Sequence, residues 1–423
     1  MYHDDAARQP YKNPQYSWLW LFLVITGIAI CVPLFIYGSE VAHSLRFADY
    51  LWLAPLGGIL TGLLMGATAR LGAVTGLTSS MIVQRLFGAR GGVIAFLGLM
   101  LASLGWWGIQ TEFMAKVLQA MLWEMYQVKV ALPWLAIVGG ACMATTSILG
   151  ARAIGALSYV AVPLLLLALL LPWAQFSGAD LAKIMAFVPT TAQPWGLVLA
   201  GIIGGWMGGV VVMPDLGRLV RSPQQAFWGA LLSCAVAYPL LLLLSGSMSL
   251  VLGEVNFIVL YPLLGFGVLG VLTVVFATWT SNDNNLYSAT LPLVVWTGWS
   301  RVKLTVAAAV VGIAVAAWGA FSHLLTLMVW FGVVLGPLAA LMLVAHWQRP
   351  HWFDLAMPLP RWRASLLGVW GLGVVAGVLT TPKEGFGLGV LTLTTAPTLD
   401  AFLVTVVLAL LVLRWGASHA RAI

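Results

Sequence analysis

Charge is what this chain has least of. Only 8% of its 423 residues are Asp, Glu, Lys or Arg, where a soluble globular chain carries about 25%. So few charges cannot build a polar shell over a chain this long, which excludes a soluble enzyme or a free binding module and leaves lipid as the solvent for most of the surface. Cysteine is nearly absent. Cys31, Cys142 and Cys234 sit in apolar runs with no redox or metal spacing between them, and they read as small core residues. The six histidines are scattered or lie near the ends of apolar runs. His346 and His351 fall in HWQRPHWF, where Pro350 spoils a helical metal pair. No GxSxG, Walker A or HExxH run occurs. An enzyme or an ATP-driven pump is therefore not expected, nor is a bound cofactor, and an ion gradient remains as the energy source.

Apolar residues are abundant instead, at 61% of the chain, and mean hydropathy is +0.99. Gly (45) and Trp (21) are also frequent. Gly lets membrane helices approach closely, and Trp favours interfaces or aromatic pockets. Twelve apolar runs of near span length occur at roughly 18–38, 50–69, 93–123, 131–150, 154–174, 195–213, 225–251, 262–291, 304–321, 324–345, 363–380 and 395–413. The expected class is an all-α polytopic membrane protein. The polar start, MYHDDAARQPYKNPQYS, leads into a run long enough to remain a helix, so no cleaved leader is expected. The polar stretch from Ala69 to Gly92 includes VTGLTSSMIVQRLFG, which reads as a short amphipathic helix lying at the surface.

The net charge of +7 is a topology signal rather than a mark of nucleic-acid binding. Fifteen of the twenty basic residues, Arg8 and Arg421 among them, fall on one side of the alternating runs. Arg46, Lys129, Lys183 and Lys383 fall on the other, and Lys116 lies inside a run. The excess of positive charge on the inner side then places both termini in the cytoplasm of a bacterial inner-membrane protein.

Two runs look broken: the first by Pro33 within CVPLFIYG, the sixth by the glycines and Pro214 of GIIGGWMGGVVVMPD. Pro removes a donor and Gly is permissive, so both segments are expected to unwind locally. First and sixth are matching positions if residues 18–174 and 195–345 are two five-helix repeats. Residues 363–413 then supply two accessory helices, and 1–17 and 414–423 are tails. Paired interruptions of this kind mark a binding site at mid-membrane; the same glycines would also serve as plain packing notches.

Polar residues inside the runs are few, and each is a candidate. ASLGWWGIQTEF in the third run holds Ser103, Trp106, Trp107, Gln110 and Glu112. Trp106 and Gln110, four apart, share a helical face, whereas Trp107 lies on another and should matter less to binding. An aromatic plane beside an amide suits a flat, hydrogen-bonding heterocycle, although a packing Trp and a Gln bonded to a neighbouring helix fit the same spacing. Trp206, among the glycines of the sixth run, offers a second plane or another packing residue. FATWTSNDNNLYS in the eighth run is the densest cluster, from Thr278 to Ser288 and including Asn282 and Asn285. Its hydroxyls and carbonyls are hard ligands suited to Na⁺, and its amides suit the edges of a base. Asn284 and part of Asp283 are read as a helix cap at the mouth. Glu112 and Asp283 are the candidate proton carriers, but Lys116, one turn after Glu112, favours an ion pair there.

These segments together resemble the nucleobase–cation symporter family, the purine–cytosine permeases and hydantoin transporters. The residues that carry the likeness are GAVTGLTSSMIVQRLFGARGG, GWWGIQ, PDLGRLVRSPQQA and TWTSNDNNLYSATL. The last is the most specific, since cytosine permeases have a very similar Trp-Thr-Thr-Asn-Asp-Asn run. The resemblance implies the five-plus-five inverted-repeat transporter fold with two additional helices, and substrate and Na⁺ held near the first, third, sixth and eighth helices. It makes Trp106 the stacking Trp, Gln110 the amide of the hydantoin carriers, Trp206 the second aromatic and Asn282 a substrate-side amide. Ala277, Thr280 and Ser281 become the eighth-helix Na⁺ ligands, with carbonyls of Gly27 and Ile30 as their partners. Ser103 stands where cytosine permeases have a Gln, and Gly208 where they have a Ser. Both changes remove hydrogen-bonding reach and leave room for a larger or differently substituted ring.

The leading expectation is import of a nucleobase or related heterocycle coupled to Na⁺ or H⁺ by alternating access. An amino-acid or amine carrier on the same fold and a channel are the alternatives. A channel fits glycine-broken helices with a single polar cluster less well.

Overall fold

The computed structural model describes residues 10–254, 267–318, 324–383 and 387–419. The counted Arg8 and Arg421, the start of the eighth expected run at 262–266, and the end of the ninth at 319–321 lie outside the described residues. Elsewhere all twelve expected runs are helical, and each is called a span below. Seven of these helices are long and apolar enough to cross a membrane, or nine if each bent pair counts as one span. The others are Gly267–Thr297 with its polar run, Arg301–Trp318, and Ala364–Thr380, an apolar helix of 17 residues. Large apolar side chains such as Leu101, Leu149, Val160 and Leu411 cover the outside, where lipid is their natural partner.

The first span is two helices, Trp18–Ala29 and Val32–Ser44, bent by 65°. The Ile30 amide closes the first half on Thr26 O, Cys31 N turns back to Ala29 O, and Leu34 N and Phe35 N both start the second half on Cys31 O. The break thus falls just before Pro33, which enters the first turn of the second half, where its missing N–H has no helical partner to lose. The sixth span also breaks, between Trp195–Gly204 and Met207–Val212, at Gly205 and Trp206. A short turn, Pro214–Gly217, follows it. Among the described residues a further helix, Gly178–Ala186, joins the fifth and sixth spans, where the sequence had suggested only a connection.

The chain also ties distant segments together. A Cβ on Gly72 of the second span (Phe47–Thr75) would lie 2.5 Å from Pro214 O, so the second span and the turn after the sixth touch backbone to backbone. A methyl at Gly72 would favour helix by about 1 kcal/mol, yet overpacking here costs about 1–3 kcal/mol. Gly72→Ala should therefore lower the detergent melting temperature. Gly98→Ala, at a helical position with no atom within 4 Å of the new methyl among the described residues, should leave it unchanged or raise it. Equal melting temperatures for the two variants would refute the close approach.

The segment read as a surface amphipathic helix is helical from Ser79 but is not on the surface. From Ser79 to Phe87 every residue except Gln84 is buried. Asp215, itself buried, holds one end: Ser79 N donates to Oδ1 at 2.8 Å and Ser79 Oγ to Oδ2 at 2.9 Å. Burial pushes this carboxyl up to about 6, with Arg218 and the Ser79 donors pulling the other way. Gly88 holds the other end. Its φ of +87° suits glycine, and a Cβ there would meet Pro360 O at 2.7 Å. Ala89 N donates to Pro360 O, Arg90 N to Arg361 O and Arg363 N to Phe87 O. Partners more than a hundred residues away, which no local pattern shows, turn an amphipathic stretch into a buried strut.

Candidate functional site

A cavity of about 780 Å³, counting its open part, lies where the two broken spans meet the third (within Ser79–Tyr126) and the eighth (Gly267–Thr297). The third span contributes Ser103, Trp106 and Gln110, which repeat at near-helical spacing and so face one way. The sixth contributes Gly205, Trp206 and Gly208, and the eighth Ser281, Asn284, Asn285 and Ser288. Cys31 enters from the break in the first span.

Trp106 is half-buried on the wall, with its ring 5.9 Å from Phe331 and tilted by 37°. Trp206 is buried and edges onto Tyr238, 5.7 Å between ring centres. Trp107 is outside the cavity and fully buried; a Cβ on Gly312 would come within 2.3 Å of its ring. Gln110 is also buried. Its Nε2 donates to Ser281 Oγ at 2.9 Å, and its Oε1 has no hydrogen-bond partner among the described residues. A buried amide oxygen without a partner is costly, so a ligand that donates to it gains affinity. Gly208 has little around it: a Cβ there would meet only Leu335 Cδ1, at 3.7 Å, among the described residues.

Asn282, expected on the substrate side, lies elsewhere in the structure. Its side chain does not reach the cavity; Nδ2 donates to Trp107 O at 2.9 Å and to Thr111 Oγ1 at 3.0 Å, tying the eighth span to the third. Its Oδ1 accepts from Asn285 Nδ2 at 3.3 Å, so it braces an amide that does line the wall. Asn284, read as a cap, is instead a mid-helix wall residue whose Oδ1 has no hydrogen-bond partner among the described residues. The helical stripe 281, 284, 285, 288 accounts for both corrections, because Asn282 lies about 100° off it. Asn284, Ser288 and Cys31 are polar wall residues that the sequence does not single out: it offers Asn284 as a cap, Ser288 as the end of the dense polar run and Cys31 as a small core residue. The eighth-span stripe was available to find the first two, whereas Cys31 needed the position of the break.

The five residues expected around Na⁺ fall where the first and eighth spans touch. Thr280 Oγ1 lies 2.9 Å from Gly27 O, 2.8 Å from Phe276 O and 3.4 Å from Ala277 O, carbonyls among which its single proton is shared. The contact is close: a Cβ on Gly27 would sit 3.2 Å from Thr280 Cβ. Cys31 N turns to Ala29 O rather than closing a helical bond on Gly27 O, which leaves that carbonyl to the eighth span. Ser281 Oγ is held by Gln110, and Ile30 is the residue at which the first helix ends. These are neutral, hard oxygens, a donor set suited to a small monovalent cation. Glu112 is buried and paired with Lys116 at 2.5 Å, as its spacing suggested. Asp283 is buried beside the fourth span, with Ser147 Oγ donating to its backbone oxygen, and is not on the cavity wall.

Comparisons with known proteins identify a family and a fold. A family model described as a permease for cytosine/purines, uracil, thiamine and allantoin matches residues 10–351. The cytosine permease of Escherichia coli (strain K12) is 23% identical over 363 residues, 84% of each chain. Among solved structures, the chain superposes with a TM-score of 0.83 on Mhp1, a nucleobase-cation-symport-1 family transporter in a closed conformation with bromovinylhydantoin bound. Identity is 21%, and 98% of this chain and 96% of that one are covered. A Na⁺-coupled sialic acid symporter, substrate-bound and outward-open, gives 0.68 at 12% identity, covering 97% and 92%. The fold is the expected five-plus-five inverted repeat with additional helices.

Proposed function

The chain belongs to the permease family for cytosine/purines, uracil, thiamine and allantoin, and from that footing we propose that it imports a flat heterocyclic base together with Na⁺. The base stacks on Trp106 with Trp206 as the second wall. Gln110, Asn284, Asn285 and Ser288 read its polar edge. Gly27, Ile30, Ala277, Thr280 and Ser281 hold the cation. One observation carries the reading: an aromatic plane and a buried Gln110 oxygen, unpartnered among the described residues, line a cavity that abuts the Thr280–Gly27 contact. In this proposal the termini face the cytoplasm of a bacterial inner membrane, lipid is the surrounding partner, and residues 18–174 and 195–345 are the repeats. The names of the bacterial cytosine permease and of the hydantoin-bound transporter support a heterocyclic substrate. Competition for uptake among cytosine, uracil, hypoxanthine, allantoin and a hydantoin, with and without Na⁺, tests it; no competition by any of them would defeat it.

The cavity favours a larger or more substituted ring than cytosine. Gly208 leaves open space beside the wall, and Ser103 is a short polar group. Gly208→Ser has room for its side chain, so the protein should still insert. It should shift preference toward the smaller ring by about tenfold, the effect of one new hydrogen bond of about 1 kcal/mol plus lost volume. Unchanged relative affinities for cytosine and hypoxanthine would remove Gly208 from the wall.

A further inference from the structure

We infer that Gln110 is the link through which substrate and cation sense each other, an inference that rests on the base–Na⁺ reading above. The amide has two ends doing different jobs. Nε2 donates to Ser281 Oγ at 2.9 Å, a hydroxyl assigned to the cation shell. Oε1 is buried and unpartnered among the described residues, on a side chain that lines the cavity. A serine oxygen has two lone pairs and one proton. With one lone pair taken by Gln110, the hydroxyl proton can turn to the Cys31 sulfur and the second lone pair can face the cation. A base N–H that donates to Oε1 polarises the amide and strengthens the N–H bond to Ser281, because hydrogen bonds in series reinforce one another in a low-dielectric interior. Substrate then prepares the cation site, and the cation, by pinning Ser281, holds Gln110 oriented for substrate. No charge moves, and none of the atoms involved is a carboxylate.

The consequence is specific. An amide that only reads the substrate would, when removed, weaken binding equally with and without Na⁺. A linking amide would, when removed, erase the difference between the two conditions. Reciprocal linkage ties the Na⁺ gain in substrate affinity to the substrate gain in Na⁺ affinity, and such couplings run from about 5- to 150-fold. Gln110→Leu should bring that gain to less than about twofold, beyond whatever affinity it loses in Na⁺-free buffer.

The test measures radiolabelled-base affinity of purified transporter in Na⁺ and in choline for wild type, Gln110→Leu, Ser281→Ala and the double variant. Detergent melting temperature is recorded for each, and Gln110→Met, of similar length but with neither the N–H donor nor the amide oxygen, is the fallback if Leu does not fold. Gln110→Leu and Ser281→Ala should each lose the Na⁺ gain, the double variant should lose no more than either alone, and Gln110→Met should lose the gain as Leu does. A Gln110→Leu protein that binds weakly yet keeps the full Na⁺ gain would overturn the link while leaving the binding site intact. Additive losses in the double variant would also overturn it. A wild type whose affinity ignores Na⁺ would overturn the underlying Na⁺ reading itself, which is a separate outcome.

Discussion

Trp106→Ala abolishes uptake while the protein still inserts and folds: this is the largest single-residue effect expected. Stacking of a base on an aromatic plane is worth about 1–3 kcal/mol, or roughly ten- to a hundred-fold in affinity. The ring is half-buried on the cavity wall, with Phe331 tilted beside it at 5.9 Å, so few core contacts depend on it. Trp107 provides the control. It is fully buried against Gly312 and away from the cavity, so Trp107→Ala opens a core void costing about 3–5 kcal/mol. Its expected mildness holds for substrate affinity per folded molecule but not for stability. Trp106→Ala should therefore lose affinity at an unchanged melting temperature, and Trp107→Ala should show the reverse. Equilibrium binding and thermal melting on the two purified variants separate these cases. Normal transport by a correctly inserted Trp106→Ala protein would remove the stacking wall from the account.

Thr280→Ala combined with Ser281→Ala loses Na⁺-stimulated binding and keeps a weak, Na⁺-independent remainder. Thr280 Oγ1 bridges to Gly27 O at the break in the first span, and Ala277 and Thr280 share a helical face with Ser281 alongside. Removing both hydroxyls takes away the side-chain oxygens of the proposed shell and leaves only carbonyls. A cation joining two helices stabilises the arrangement in which both contact it, so its loss should lower substrate affinity by the whole linkage factor, about 5- to 150-fold. The aromatic wall and Gln110 Oε1 remain, which is why some binding persists. A double variant that responds to Na⁺ as wild type does would place the ion elsewhere.

How much of this was legible in the sequence depends on the range of the interaction involved. The spans were readable because each buries or exposes apolar surface along its own length. The two breaks were readable because Pro33 and the Gly204–Gly205 pair disturb the local backbone, although the first break falls at Ile30 and Cys31, where chain direction rather than composition decides. Trp106 and Gln110 were readable from spacing alone. Asn282 was misplaced because a dense polar run does not say which amide turns toward the ligand; the helical stripe through Ser281, Asn284, Asn285 and Ser288 does. The Ser79–Phe87 strut was misread because its covering partners, Asp215 and the Pro360–Arg361 backbone, are distant in sequence.

The central claim is that a neutral oxygen site between the first and eighth spans couples Na⁺ to base binding. Its rival is proton coupling through a buried carboxyl. Among the buried carboxyls of the described residues, Glu112 is paired with Lys116, Asp215 is held by Ser79 and Asp400 by Thr394, which leaves Asp283, buried off the cavity wall. The most direct measurement is substrate affinity across a Na⁺ titration at two pH values. The account predicts an affinity that rises with Na⁺ and saturates, along nearly the same curve at both pH values. An affinity flat in Na⁺ but different between the two pH values would contradict it and move the coupling to Asp283.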